Sequence, residues 1–460
     1  MNRHAFVLPI VLGFACAGCP PAVEADAGAD AGAQVDAAGA DTAGHDAAGH
    51  DAAQLDAATG DAAGADASLP ILQRISTGEY TCNRSHDSTS IDEVQWWGQA
   101  LLASGSSFFL ARGSGDYSSS DLDFSTISLD GTLGTTTPVV TTTTTAVKEP
   151  GLVADGDNFA LVWSEGDFGS FKLRFARVGS AGQQVTAPHD IAGSTGYLAD
   201  APHLFKTGSG FAVIWSSASG YDDGALKFLA LDTAGNAVGQ PATIFGSSSG
   251  SLWSTTAIPI ATGFAVAWSF YSVDGQAVYF TTVDAAGAKD FTEKRLSDSG
   301  FDGDSPSLIV DGSGFLATWS EYYSNNDYTN PEAWRVVRAA HLDGQGNVVG
   351  PRHLLQPSSN LTSDETPLLL DLGSDVALAW SHGTFVVICA GCMPDNKIQL
   401  VILDRATLTP KSNVADILNT ETMGGLTSPV LARHGLDFLA VYDVTFHVNA
   451  IPATGTIHCQ

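Results

Sequence analysis

The chain has 460 residues, with 20 Lys plus Arg against 50 Asp plus Glu and a formal net charge of −30. A surface that acidic repels phosphate backbones and anionic headgroups, which excludes nucleic acid and a charged membrane face as partners. Apolar residues make up 44%, enough for a sizeable core, yet no segment offers the roughly 18 uninterrupted apolar residues of a membrane helix.

The chain opens MNRHAFVLPIVLGFACAGC. Arg3 and His4 form a short basic start, and Ala5 to Ala15 is an apolar run ending in small residues, the pattern of a signal peptide over residues 1–18. Its end resembles the lipobox of bacterial lipoproteins: Ala17, Gly18 and Cys19 match, and Cys16 stands where leucine is usual. The resemblance implies that Cys19 is acylated and that the chain meets a membrane through its lipid anchor. Each buried methylene contributes roughly 0.8 kcal/mol to such an anchor. Pro20 occupies the position where aspartate marks inner-membrane retention in some bacteria, so the expected address is the outer membrane, on its periplasmic or outward face.

Residues 19–68, the lipidated cysteine and the stretch behind it, are built from Asp, Ala and Gly. They contain no aromatic residue and no Lys or Arg, and aspartate recurs every five residues from Asp36 to Asp66. A period of five matches no apolar helix face, and glycine costs a helix roughly 1 kcal/mol at each occurrence. With nothing to bury, this stretch is expected to be a disordered, self-repelling tether. The remaining domain, residues 69–460, keeps a net charge of −21 once ten acidic residues and Arg3 are set aside.

Within that domain a short apolar run returns. NFALVWSE (158–165), GFAVIWSS (210–217), GFAVAWSF (263–270), GFLATWSE (314–321) and DVALAWSH (375–382) share one pattern, with weaker copies at SFFLARGS (107–114) and DFLAVYDV (437–444). Superposing them puts Arg112, Trp163, Trp215, Trp268, Trp319, Trp380 and Tyr442 at one position, spaced 51, 52, 53, 51, 61 and 62 residues apart. Each unit reads as four short strands separated by Gly, Asp and Ser turns. A strand wet on one face alternates polar with apolar; these do not, so they are covered on both faces.

This pattern resembles β-propeller repeats, in which neighbouring blades sandwich each second strand. The resemblance implies an all-β fold of four-stranded antiparallel blades, seven by this count, with the tryptophans as packing between blades. No subfamily motif is present: there is no W-D pair at a blade end, no Y-W-T-D, no S-x-D-x-G-x-T-W and no D-x-D-x-D-G calcium loop. No cofactor is therefore expected. Structural calcium would be compatible with a propeller but has no intact motif here.

The last unit lacks a fourth strand, and LPILQRIS (69–76) resembles the outer strands of other units, so the two chain ends are expected to complete one blade. Four cysteines lie in the domain, and four allow three pairings. The preferred set is Cys82–Cys459 across the chain ends and Cys389–Cys392 within ICAGCMPDN. Disulfides fit an exported protein, whereas zinc would need a second close pair.

Strand direction places the middle loop of each blade and the inter-blade link on one rim. Those segments are long and dissimilar, while the first and third turns are short and uniform. Recognition concentrates in variable loops on rigid scaffolds. The best candidate is EYYSNNDYTNPEA (321–333), with Tyr322, Tyr323, Asn325, Asn326, Asp327 and Tyr328. Tyrosine and asparagine supply aromatic faces and adaptable hydrogen bonds. No catalytic residue stands out. GSSSG (246–250) has G-x-S-x-G spacing without a following helix, Glu165 and Glu321 read as acidic surface, and His382 as a loop residue. The expected function is a monomeric binding or scaffolding module for protein or glycan, without catalysis. One alternative is a glycoside hydrolase or polysaccharide lyase using rim carboxylates; another is a purely structural surface protein.

Overall fold

A computed structural model describes residues 69–460 apart from 75, 87–95, 116–119, 143–144, 168–169, 196, 199–201, 221–222, 325–332, 357–361, 385–395, 421–424 and 447–448. The signal, Cys19, the tether, and Cys389 and Cys392 lie outside the described residues. The domain is a seven-bladed β-propeller of four-stranded antiparallel blades.

Blade 1 comprises Trp96–Ser104, Ser107–Gly115, Ser120–Ser128 and Leu133–Thr142, and blade 2 comprises Ala146–Asp155, Asn158–Asp167, Ser170–Gly179 and Gln184–Thr195. Blade 3 starts with His203–Thr207 and continues through Gly210–Gly220, Asp223–Leu231 and Ala237–Ser247. Blade 4 holds Gly250–Ile260, Gly263–Ser272, Gly275–Asp284 and the short Lys294–Arg295; blade 5 holds Asp302–Asp311, Gly314–Ser324, Ala333–Leu342 and Val348–Leu354. Blade 6 holds Thr362–Asp371, Asp375–Thr384, Asn396–Asp404 and Ala415–Thr420. Blade 7 takes Gly425–His434, Asp437–Phe446 and Asn449–Cys459 from the end of the chain and Cys82–His86 from its beginning. The first strand of every blade touches the first strand of both neighbours, which closes the ring and puts these strands innermost.

The repeated tryptophans are where two-sided burial requires them. Trp163, Trp268, Trp319 and Trp380 are fully buried and Trp215 is 3% exposed. The alternate residues of each second strand enter different cores: Val213 and Trp215 pack toward blade 2, while Ala212 and Ile214 pack toward blade 4. Fully burying one large apolar side chain contributes roughly 1.5–3 kcal/mol, so a repeat that does it on both faces ties each blade to two partners.

The third turns add a wedge. Asp232 Oδ1 accepts the backbone N–H groups of Ala234 (2.9 Å) and Asn236 (2.8 Å). Asp284 and Asp343 repeat the arrangement in blades 4 and 5. The Asn236 and Asn347 side chains and N–H groups hold the Asp232 and Asp343 carboxyls below the usual range. Each turn then needs glycine, because a Cβ on Gly235 (φ +88°) would lie 2.1 Å from Phe175 of the preceding blade. Gly287 and Gly346 meet Phe228 and Phe280 in the same way, at 2.6 and 2.5 Å.

Closure follows the expected principle with a different strand. Residues 69–76 do not pair in blade 7: Ile71–Gln73 forms a 3-10 turn, and Ile71 is fully buried in the core shared by blades 5 and 6. The chain then runs along blade 6. Thr77 N–H donates to Pro410 O (3.0 Å), Tyr80 N–H to Lys411 O (2.8 Å) and the Tyr80 hydroxyl to Asp375 Oδ2 (2.8 Å). Lys411 bridges Glu79 (2.8 Å) and Asp375 (2.9 Å), and these carboxylates raise its pKa above the ordinary lysine value. Only then does Cys82–His86 pair with Asn449–Cys459, in a register that sets Cys82 opposite Cys459. The two form the expected disulfide, spanning 377 residues.

A further repeat lies in the innermost strands. Six of the seven carry a β-bulge near the start: at Trp96/Gln99, Lys148/Gly151, Leu252/Thr255, Asp304/Ser307, Glu365/Leu368 and Thr427/Val430. The residue at the bulge is left-handed at Gly98 (φ 90°), Glu149 (51°), Ser305 (51°) and Thr366 (45°). Proline follows at 150, 306, 367 and 429, and Pro202 directly precedes the first strand of blade 3, which has no bulge. A residue with no N–H to offer is tolerated at bulges and on an edge strand.

Candidate functional site

The bulges lie near the starts of six innermost strands, at the rim that carries the inter-blade links and middle loops. On blades 4 and 5 that rim is aromatic. Trp253, in the blade 4 bulge, is 59% exposed, and Tyr271, near the end of the second strand, is 50% exposed. The next turn places Gly275 against Asp302, the first residue of blade 5, whose Oδ1 accepts the Gln276 N–H at 2.9 Å.

There Tyr323 and Trp334, cross-strand partners, stack with centroids 4.1 Å apart and planes at 27°, and Phe301 lies 6.0 Å from Tyr323. Tyr322 pairs across the strands with Arg335, whose guanidinium sits 5.4 Å from its ring centroid and whose Nη1 donates to Glu365 at 2.6 Å. Tyr322 and Tyr323 of the sequence-derived candidate thus enter one half-buried aromatic and charged cluster. Asn325, Asn326, Asp327 and Tyr328 lie outside the described residues. Sequence reading missed Trp253, Phe301, Trp334 and Arg335. The missing proline at the blade 4 bulge, where Trp253-Ser254-Thr255 replaces the X-Pro of four other bulges, was the available signal.

The bulges are fixed across blade boundaries. Ser254 Oγ donates to Asp304 Oδ1 (2.7 Å) and accepts the Ser305 N–H (3.0 Å). His203 Nε2 contacts Thr255 O at 2.8 Å. Burial pushes the His203 pKa down, which the Thr255 contact partly offsets.

The rim carboxylates singled out by sequence are occupied. Glu321 is fully buried rather than acidic surface: Oε1 accepts Trp319 Nε1–H (2.9 Å) and the Asp298 N–H (3.1 Å), and Oε2 accepts Arg338 Nε–H (3.0 Å). Glu165 accepts Arg174 Nη1–H at 2.7 Å. A hydrolytic pair needs one carboxyl free to give a proton and a second facing the scissile bond; these two are spent holding strands together. Nor is His382 a loose loop residue. It lies within the second strand of blade 6, Asp375–Thr384, and its Nδ1 lies 2.7 Å from Oδ1 of Asp364, which is 1% exposed. Gln356 Nε2 donates to the other Asp364 oxygen at 2.7 Å. The serines of GSSSG stay in an exposed turn, Ser247 and Ser249 hydrogen-bonded to each other.

The opposite face, with the short turns, has a groove of about 940 Å³ between blades 4 and 5. It is lined by Ile260, Phe291 and Phe315 with Asp290 and Lys294 at its edge. Asp290 is engaged by Thr282 Oγ1–H at 2.7 Å. Among the described residues, no three His, Cys, Asp or Glu side chains gather so as to hold a metal ion.

No protein-family model matches the sequence, and no curated protein matches it. Solved structures resemble the fold. The polysaccharide lyase Uly1 is 9% identical, with 82% of this chain and 99% of that one covered and a TM-score of 0.48. A puromycin hydrolase is 12% identical over 78% of this chain, which spans 53% of that protein's length, with a TM-score of 0.47. The GH43 endo-arabinanase from Bacillus licheniformis is 12% identical, with coverages of 57% and 95% and a TM-score of 0.33. Likenesses this distant transfer neither substrate nor residue roles.

Proposed function

We propose that this protein is an envelope lipoprotein whose propeller binds glycan chains on the rim of blades 4 and 5. The observation that supports this best is the gathering of aromatic side chains on that rim, the exposed Trp253 and Tyr271 of blade 4 and the Tyr323–Trp334 stack of blade 5. Exposed ring faces on a rigid scaffold are costly to leave in water and suit the C–H faces of sugar rings, while Tyr hydroxyls and Arg335 suit their oxygens. Engagement of Glu165 and Glu321 by arginine supports binding over hydrolysis by paired carboxylates. Acylation of Cys19 would tie the propeller to a membrane through the Asp/Ala/Gly-rich stretch of residues 20–68.

A glycan array probed with the purified full-length chain, beside a pull-down of envelope proteins, tests the reading. Retention on glycans that falls at least tenfold in Trp253→Ala and Tyr323→Ala, with unchanged melting, is the expected result. Capture of a defined protein through the same residues replaces the glycan reading, and silence in both assays leaves a structural surface protein. Radiolabelled fatty acid incorporated by the native chain and not by Cys19→Ser checks the anchor.

A further inference from the structure

The turns of the face opposite the aromatic rim are all described, and the blade boundaries there are not alike. Between blades 2 and 3 the mouth is capped by charge. Asp155, the last residue of its innermost strand, pairs with Lys206 at 2.8 Å, and the Lys206 ammonium lies 4.1 Å from the Phe211 ring centroid. Between blades 5 and 6 Asp371 takes the Lys206 position, and Arg405 bonds to it and to Val310 O (2.8 Å). Between blades 4 and 5 the positions of Asp155 and Lys206 hold Ile260 and Val310, and Gly344 stands where blade 6 has Arg405. Two aliphatic side chains and a glycine thus replace the charged caps, and the groove of about 940 Å³ lies beneath them. Val310 is left 39% exposed.

Blade 4 shapes the groove from its outer side as well. Its outermost strand is the short Lys294–Arg295, against Ala237–Ser247 in blade 3, and the residues before it bring half-buried Phe291 to the groove wall. Phe291 rests on Phe280, centroids 6.2 Å apart, which braces the wall against the blade core. Residues 259–262 separate this groove from a hollow of about 280 Å³ between blades 3 and 4, and they line both. A ligand that fills the two must be long and must place an apolar group on each side of one turn. An extended peptide does this with side chains two residues apart, which share a face at a spacing of about 7 Å.

We propose that this groove receives an extended segment of a partner protein, carrying two large apolar side chains flanked by lysine or arginine. Apolar surface gathered in a groove marks an interaction site, and the charge around it selects the flanks. Asp284, Asp290, Asp311 and Asp343 stand in the segments around the groove against Lys294, while Lys289 is taken by Glu293 at 2.8 Å. An acidic edge on an acidic domain draws a basic segment in and turns an acidic one away. It also disfavours a second copy of this chain, which would bring the same charge. The groove lies at the other end of the strands from the glycan rim and does not rest on that reading.

Binding of the full-length chain to an array of short peptides, with Lys or Arg at both ends and Leu or Phe at the second and fourth positions, tests this. Peptides of that pattern should bind roughly tenfold more tightly than versions with Glu at the ends or Ala at the apolar positions, and added salt should weaken them. Ile260→Asp/Val310→Lys, which transplants the Asp155–Lys206 cap, should weaken that binding by roughly tenfold or more with melting unchanged. Val310→Lys alone, at an exposed position, gives the same result should the double variant melt early. Failure of every basic peptide to bind, equal binding of acidic and basic peptides, or unchanged binding in both variants overturns the proposal. So does light scattering that finds wild-type dimers which Val310→Lys separates, because a second copy would then cover the groove. No glycan enters the assay, so a failure here and a failure of the rim reading are told apart.

Discussion

Gly235→Ala and Gly239→Ala form a matched pair that measures how far the third turns wedge one blade against the next. Both glycines are left-handed, at φ +88° and +83°. A Cβ at 239 meets nothing within 4 Å, whereas at 235 it lies 2.1 and 2.2 Å from two Phe175 ring carbons. Left-handed alanine costs about 1–2 kcal/mol at either site. Overpacking a buried ring adds about 1–3 kcal/mol at 235 alone. Phe175 cannot simply swing away, since it is fully buried and packs on Phe211 at 5.1 Å. For roughly 390 ordered residues, an unfolding entropy of about 2.1 cal/mol/K per residue gives about 0.8 kcal/mol/K. The 235 variant should therefore melt roughly 3–6 °C below wild type and the 239 variant about 1–2 °C below, by differential scanning calorimetry. Equal losses would show that the turn does not press on the neighbouring blade.

The chain-end disulfide closes so long a loop that loop-closure entropy assigns it upward of about 4 kcal/mol; Cys82→Ser/Cys459→Ser should lower the urea midpoint, and reducing agent should then have no further effect. Trp319→Phe removes the indole donor from the buried Glu321 carboxylate and should cost about 1–3 kcal/mol more than Trp163→Phe by chemical denaturation; equal costs would dismiss the bond. The depressed His203 pKa means the unfolded chain takes that proton first. Its contribution is complete above about pH 6.5 and is lost as pH falls through the folded value, so a pH titration of the melting point should flatten in His203→Gln. Asp232 and Asp343, also depressed, act lower: their stabilisation is present above about pH 4 and lost as pH falls further, a loss that Asp232→Asn/Asp343→Asn should abolish.

The blades were legible because a strand such as Phe211–Trp215 has no polar side, and only neighbours on both faces make that tolerable. Closure was legible in kind but not in place. Cys82–His86 reads CNRSH, which has neither the alternation nor the apolar content that marks a strand, because the outermost strand of a blade packs little. Residues 69–76 do show apolar content, and they spend it on a 3-10 turn that buries Ile71 instead. Tyr322 and Tyr323 were singled out from loop length. Trp253 and Asp364 were not, because each depends on a bulge that shifts the alternation and re-aims side chains. Glu321 looked exposed for the same reason: position along a strand says where a carboxylate stands, not that Trp319 and Arg338 are waiting for it.

The path of residues 69–82 decides how the wheel would answer a pull. A load arriving through the chain at Leu69 meets the Ile71 turn first, then the bonds of Thr77 and Tyr80 along blade 6, and then stops at a covalent link. The seam of blade 7 lies behind that link, so it is spared the residue-by-residue peeling that separates a terminal strand from its sheet. Force applied at Leu69 would thus strip the segment ahead of Cys82 before it reached the seam that closes the ring.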